Sequence, residues 1–195
     1  MLRITILAAA ALVLSACQTK DYTGDEDSYR YRIPVGSTLT LNQTLTIPGD
    51  RSSIYVFRGE VVTYRNVDIY YSHCQFKLKK ISKEARKIKP DTFVVTKLVD
   101  WEDYQAGKML HFADAGIYTG ANLSGRIVVG AGGDGGPSIK KYATIISLQS
   151  NAQPQVKEMV CAYWGSEGDF DFEPLTISQT RKTLGNIFTL NIKSQ

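Results

Sequence analysis

The densest charge in this 195-residue chain is the run "KLKKISKEARKIK", residues 77 to 89. It sets Lys77, Lys79, Lys80, Lys83, Arg86, Lys87 and Lys89 against Glu84 alone, a local balance of 7 − 1 = +6. Cations at this density attract anions. They suit lipid head groups, at roughly 1 kcal/mol per basic residue near a charged bilayer, or the acidic face of a protein. The same run also reads as a solvated strand edge whose lysines discourage other chains from adding on. The remaining chemistry-bearing groups are weaker. Ser138-Ile139-Lys140-Lys141 has the S-x-x-K spacing in which a lysine assists a serine nucleophile, but the companion S-D-N and K-T-G motifs are missing. With 14 serines and 14 lysines in the chain, about one such spacing arises by chance. "GAGGDGGPSIKK" carries Pro137 where a phosphate loop needs its lysine, so it reads as a hairpin loop. Asp169, Asp171 and Glu173 alternate with Phe170 and Phe172. Three carboxylates on one strand face suit Ca²⁺ in charge, yet that ion takes six to eight oxygens; an acidic loop with two aromatic anchors is the simpler reading. The 11 tyrosines, with Tyr70-Tyr71 adjacent and Tyr29 close to Tyr31, suit either a glycan-stacking platform or ordinary strand propensity. No cofactor, metal site or catalytic residue is assigned.

The cysteines say more about location. Arg3 precedes an apolar run from Ile4 to Leu14, interrupted only by Thr5. A membrane-spanning helix needs about 20 apolar residues, so this run fits a secretory leader instead. It ends on Leu14-Ser15-Ala16-Cys17, which resembles the lipobox of bacterial lipoproteins. That resemblance implies cleavage before Cys17 and acylation of its thiol. Two or three acyl chains, at roughly 0.8 kcal/mol per buried CH₂, anchor a protein without a transmembrane helix. Gln18, a non-Asp residue after the cysteine, favours the outer membrane in the enteric-type sorting pattern. The stretch after it, "QTKDYTGDEDSYR", has four acids and no aliphatic residue, so it is expected to be a flexible tether. Loss of Arg3 with the leader leaves 22 basic and 19 acidic side chains, 22 − 19 = +3, too mild a balance to argue for nucleic acid. Cys74 and Cys161 remain, and an even pair in an oxidising compartment is expected to form one disulfide. A metal site would need more ligands than these thiols with His73 and His111 supply.

The elements that must position these groups are mostly strands. "TLTLNQTLTI" alternates Leu39, Leu41, Leu45 and Ile47 with polar residues, the period-2 pattern of a half-buried strand. "SIYVF" and "EVVTYR" flank Arg58-Gly59 as a hairpin, although Asn-Gly is the commoner turn pair. "HCQFKLKKI" places Cys74, Phe76 and Leu78 on one face and Lys77 and Lys79 on the other. "DTFVVTKLV", "GRIVVG", "YATIISLQS", "EMVCAYW" and "NIFTLNI" add further strands. Thr176 and Gln179 make a capping box and Gly185 a stop, predicting a helix over 177–184. The expected fold is mostly β: an antiparallel β-sandwich or partly open barrel with one short C-terminal helix, or an α+β sheet capped by that helix. The expected organisation is a leader over 1–16, acylated cysteine and tether over 17–30, and one domain over 31–195.

The lipobox, "YYSHCQFKL", "IKPDTFVVTKL", "QPQVKEMVCAYW" and "LTISQTRKTLGNIFTL" together resemble a set of uncharacterised small lipoproteins from Gram-negative bacteria, over about Tyr31 to Leu190. The resemblance implies an envelope location, the cysteine pair and one domain, and it assigns no catalytic residue. The chain is therefore expected to be a non-enzymatic binding or scaffold lipoprotein, lipid-anchored at the outer membrane and facing the periplasm. The membrane is one partner through the acyl anchor, with an envelope protein or anionic lipid as another. The alternatives are an accessory subunit of a secretion or outer-membrane assembly machine and, behind that, a periplasmic hydrolase.

Overall fold

The computed structural model describes residues 24–105, 139–166 and 173–194. Among the described residues, ten strands and one α-helix follow in order, with a single 3-10 turn at Tyr64–Asn66 between the fourth and fifth strands: β1 (Thr38–Leu41), β2 (Leu45–Ile47), β3 (Arg51–Phe57), β4 (Glu60–Val62), β5 (His73–Ser82), β6 (Arg86–Ile88), β7 (Asp91–Gln105), β8 (Ile139–Gln149), β9 (Val156–Ser166), α1 (Ile177–Leu184) and β10 (Phe188–Asn191). Eight strands form one antiparallel sheet in the order β10-β1-β7-β8-β9-β5-β3-β4, and β2 pairs with β6 in a separate ribbon. The mostly β expectation holds, in its curled, barrel-like form.

Ring contacts show how tightly the sheet curls. β10 and β5 stand five strand steps apart, about 24 Å in a flat sheet at roughly 4.8 Å per step. Yet the Phe76 and Phe188 ring centroids are 5.2 Å apart, and Phe93 from β7 lies 5.9 Å from Phe76. All three rings are buried within the curve. The helix helps to bridge the sheet's two ends. Its capping box is complete, with the Gln179 amide donating to Thr176 Oγ1 at 3.1 Å and the Thr176 amide donating to Gln179 Oε1 at 3.0 Å. Ile177, Thr180, Thr183 and Leu184 face inward, and the Gly59 N–H in the β3–β4 turn donates to the Thr183 carbonyl at 2.9 Å. The backbones of Gly59 and Gly185 approach so closely that a Cβ on Gly185 would lie 2.5 Å from the Gly59 Cα.

Three expectations change in detail. "TLTLNQTLTI" is two strands, because Asn42 turns the chain: its N–H donates to Ile187 O, and its Nδ2 donates to Asn186 O and Thr189 Oγ1. Leu39 and Leu41 then face the main core while Leu45 and Ile47 pair with β6. β7 runs on from "DTFVVTKLV" to Gln105. Residues 24–30, expected within the tether, are folded back on α1, where Arg181 pairs with Glu26 and the Ser178 amide donates to Glu26 O. The leader, Cys17 and the tether up to residue 23 lie outside the described residues, as do the "GRIVVG" strand and the glycine-rich loop.

Candidate functional site

The basic run is not one surface element. Its first part is the end of β5, its middle a turn at 83–85, and its last part β6. Strand alternation assigns the roles. On β5, Cys74, Phe76 and Leu78 point into the core, so Lys77 and Lys79 point outward, as the period predicts. Lys77 stands opposite Glu158 of β9 and its Nζ is 3.1 Å from that carboxylate, which Lys157 also approaches at 3.2 Å. Arg86 turns back and donates from Nη2 to the Arg51 carbonyl at 3.0 Å. Those two cations are engaged in holding the fold. Lys79, Lys80, Lys83, Lys87 and Lys89 are exposed and make no ion pair among the described residues.

Two of these lysines, Lys79 and Lys89, flank the β8–β9 turn, while Lys83 lies against Gly49 and Lys87 pairs with Thr46 of β2. The Lys79 amide donates to Gln155 O at 2.9 Å on one side, and Gln153 Nε2 donates to Lys89 O at 2.8 Å on the other. Beside Lys79 lies a cleft of about 240 Å³, bordered also by Gln149, Ser150, Asn151, Pro154 and Val156. Asp91 braces the turn: burial opposes its ionisation, but hydrogen bonds from the Ser150 hydroxyl, the Thr92 amide and Gln153 outweigh that and hold it below the usual carboxylate range. Ile81 follows Lys80 in this end of β5 and is 60% exposed, so the basic end also offers an apolar tip. What the arrangement can do is bind an anionic surface.

Cys74 and Cys161 are directly opposed on β5 and β9, with sulfurs 2.06 Å apart, at bonding distance. His73 precedes Cys74 but points to the other face of the sheet, so the two do not share a ligand set. Its Nδ1 donates to the Tyr71 carbonyl at 2.9 Å and its ring is buried beside Tyr55. That burial lowers its pKa. The unfolded imidazole protonates near pH 6.5, whereas the folded one resists the proton, so the stability it contributes is present above that pH and lost as pH falls below it. A drop from about pH 7.5 to about pH 5 should therefore lower the melting temperature. In His73→Asn, which keeps a donor near Tyr71 O, that drop should shrink. An equal drop in both proteins would refute the assignment.

Two clusters were not visible in the sequence. On the outer face, Lys141 Nζ lies 5.5 Å from the Trp101 ring and 5.7 Å from the Trp164 ring, so both tryptophans of the chain flank one ammonium. Burial lowers its pKa. Inside the curve, Arg32 pairs with Asp100 and donates to Thr144 Oγ1 at 2.9 Å, while Lys140 pairs with Glu102 at 2.7 Å. Burial, together with a hydrogen bond to Glu102, pushes the neighbouring Tyr142 phenol up to about 12. Each cation there has its own carboxylate, although the buried Arg32 Nε finds no acceptor. Cross-strand register builds both clusters, and register is not written in local spacing. Of the other groups weighed from the sequence, Ser138, His111, Asp169 and Asp171 lie outside the described residues. No group of three or more His, Cys, Asp or Glu is placed to hold a metal among the described residues.

Fold and site together define a curled antiparallel sheet with a cysteine-linked centre and a lysine-rich end. No protein-family model, curated protein or solved structure matches the chain.

Proposed function

We propose that this protein is a lipid-anchored envelope protein of the periplasm that binds rather than transforms, presenting its lysine-rich end to an acidic face of another envelope component. The observation that carries this reading is the five exposed lysines between Lys79 and Lys89, along the end of β5, the turn after it and β6, none of which makes an ion pair among the described residues. The anchor rests on the Leu14-Ser15-Ala16-Cys17 motif, and the outer membrane is its proposed site. Local attachment through acyl chains makes a weak contact sufficient, because the tether raises the effective concentration of the surface it carries.

The test is affinity capture of the full-length lipidated protein after brief crosslinking in cells. A variant with Lys79, Lys80, Lys83, Lys87 and Lys89 changed to Gln is run beside it. Lys77 and Arg86 are left in place, since they bind the Glu158 carboxylate and the Arg51 carbonyl within the fold. A discrete partner captured by the wild type and lost in the variant is the expected result; fixed stoichiometry would mark an assembly subunit. Matching captures would overturn the proposed docking face.

A further inference from the structure

The β3–β4 turn holds a residue poorly suited to its backbone. Arg58 and Gly59 are its central pair, at φ 53° and 78°. Positive φ at both positions is type I′ geometry, where Asn-Gly or Asp-Gly is the preferred pair. A long side chain in that region is strained, and such strain clusters at binding sites. The Arg58 guanidinium is fixed from two sides, 4.9 Å from the Phe57 ring centroid and 5.1 Å from that of Tyr71. It is exposed, and among the described residues no carboxylate or carbonyl accepts from it.

The surroundings are rigid. The turn is fastened to α1 by the hydrogen bond from Gly59 N–H to Thr183 O, and the Tyr71 loop is fastened there by Thr183 Oγ1 donating to Ser72 Oγ at 2.8 Å. The loop closes on itself through the Tyr71 amide to Asp68 O and the Tyr70 amide to Asp68 Oδ1, both at 3.1 Å. Tyr71 is 56% exposed, which leaves much of its ring surface open beside the cation.

We propose that Arg58 and Tyr71 form a binding site for a carboxylated sugar. A stacked guanidinium offers a planar fork matched to a carboxylate, and the open tyrosine ring offers an apolar surface for the face of a pyranose. The site is independent of the lysine-rich end. Phe57 pairs with His73 at the start of β5, whereas Lys79 and Lys80 stand six and seven residues further along it, roughly 20 Å away.

The experiment uses the full-length protein in detergent and two probes, N-acetylmuramic acid and N-acetylglucosamine, which share a ring and differ by the carboxylate-bearing lactyl ether. Binding is followed by ligand-observed NMR, with thermal unfolding recorded for every variant. The wild type should bind the acid about tenfold or more tightly than the neutral sugar, as expected for a charge-assisted pair. Arg58→Asn should lose that preference while its melting temperature stays level or rises, because Asn suits the turn. Tyr71→Ala, which leaves the turn alone, should weaken both sugars. Equal binding of the two probes, no binding of either, full preference retained in Arg58→Asn, or displacement of the acid by an equal concentration of inorganic phosphate would each overturn the proposal.

Discussion

Truncation of Phe76 to Ala is expected to lower the unfolding free energy by about 3–5 kcal/mol, a large part of the 5–15 kcal/mol that a domain of this kind holds. Three observations combine in that expectation. The ring is fully buried, so its removal forfeits the whole transfer term. It meets Phe93 and Phe188 at tilted angles of 57° and 41°, the geometry in which aromatic pairs contribute beyond their area. These partners come from strands three and five steps away across the sheet, so the neighbours can collapse into the void only by changing the curl. Val94→Ala, on the exposed side of β7, should change stability by no more than about 0.5 kcal/mol. Urea unfolding of the two variants beside the wild type measures both. A loss below about 1 kcal/mol for Phe76→Ala would mean that the closure is held elsewhere, with α1 as the first place to look.

What was legible in the sequence follows from how local each signal is. α1 was readable to its ends because Thr176, Gln179 and Gly185 act within one another's reach along the chain. β5 was readable because Cys74, Phe76 and Leu78 keep a strict alternation. The outer half of β7 was not, since the inward positions after Leu98 are Asp100 and Glu102. Charges at core-facing positions end the hydrophobic pattern, although the strand continues. They are tolerated because Arg32 and Lys140 supply counter-charges across the fold, the first of them 68 residues away along the chain. The break at Asn42 was hidden for a related reason. Leu41 and Leu45 are four apart, so alternation survives the bend, and only the bonds from Asn42 to the segment around β10 mark it.

The candidate site divides in the same way. Counting charges located the lysine-rich segment but could not tell a free lysine from a paired one. Lys77 is satisfied by a glutamate on the neighbouring strand and Arg86 by a carbonyl of β3, and neither partner is close in sequence. By sequence alone Arg58 reads as an ordinary turn residue. Its meaning lies in a positive φ and in a ring contributed by Tyr71, thirteen positions further on.

Replacing Cys74 and Cys161 together with Ala should cost about 2–5 kcal/mol, the second large effect expected for this chain. The two residues are 87 apart in sequence, and closing a loop of that length removes unfolded-state entropy worth about 4.5 kcal/mol in the chain-entropy model. β5 and β9 place the two positions opposite each other, with Phe76 facing Met159 alongside. Both cysteines are buried, so reductant should act slowly on the folded protein and quickly once denaturant opens it. The comparison to make is urea unfolding with and without reductant. The wild type should shift to lower midpoint when reduced, and the double variant should not respond. Mass measurement after alkylation in denaturant, without reductant, supplies the decisive control: labelling of Cys74 and Cys161 would show free thiols and remove the cross-link from the account of stability. If both remain unlabelled while the double variant loses less than about 1 kcal/mol, the strain released on cutting the link must nearly match the entropy it had withheld.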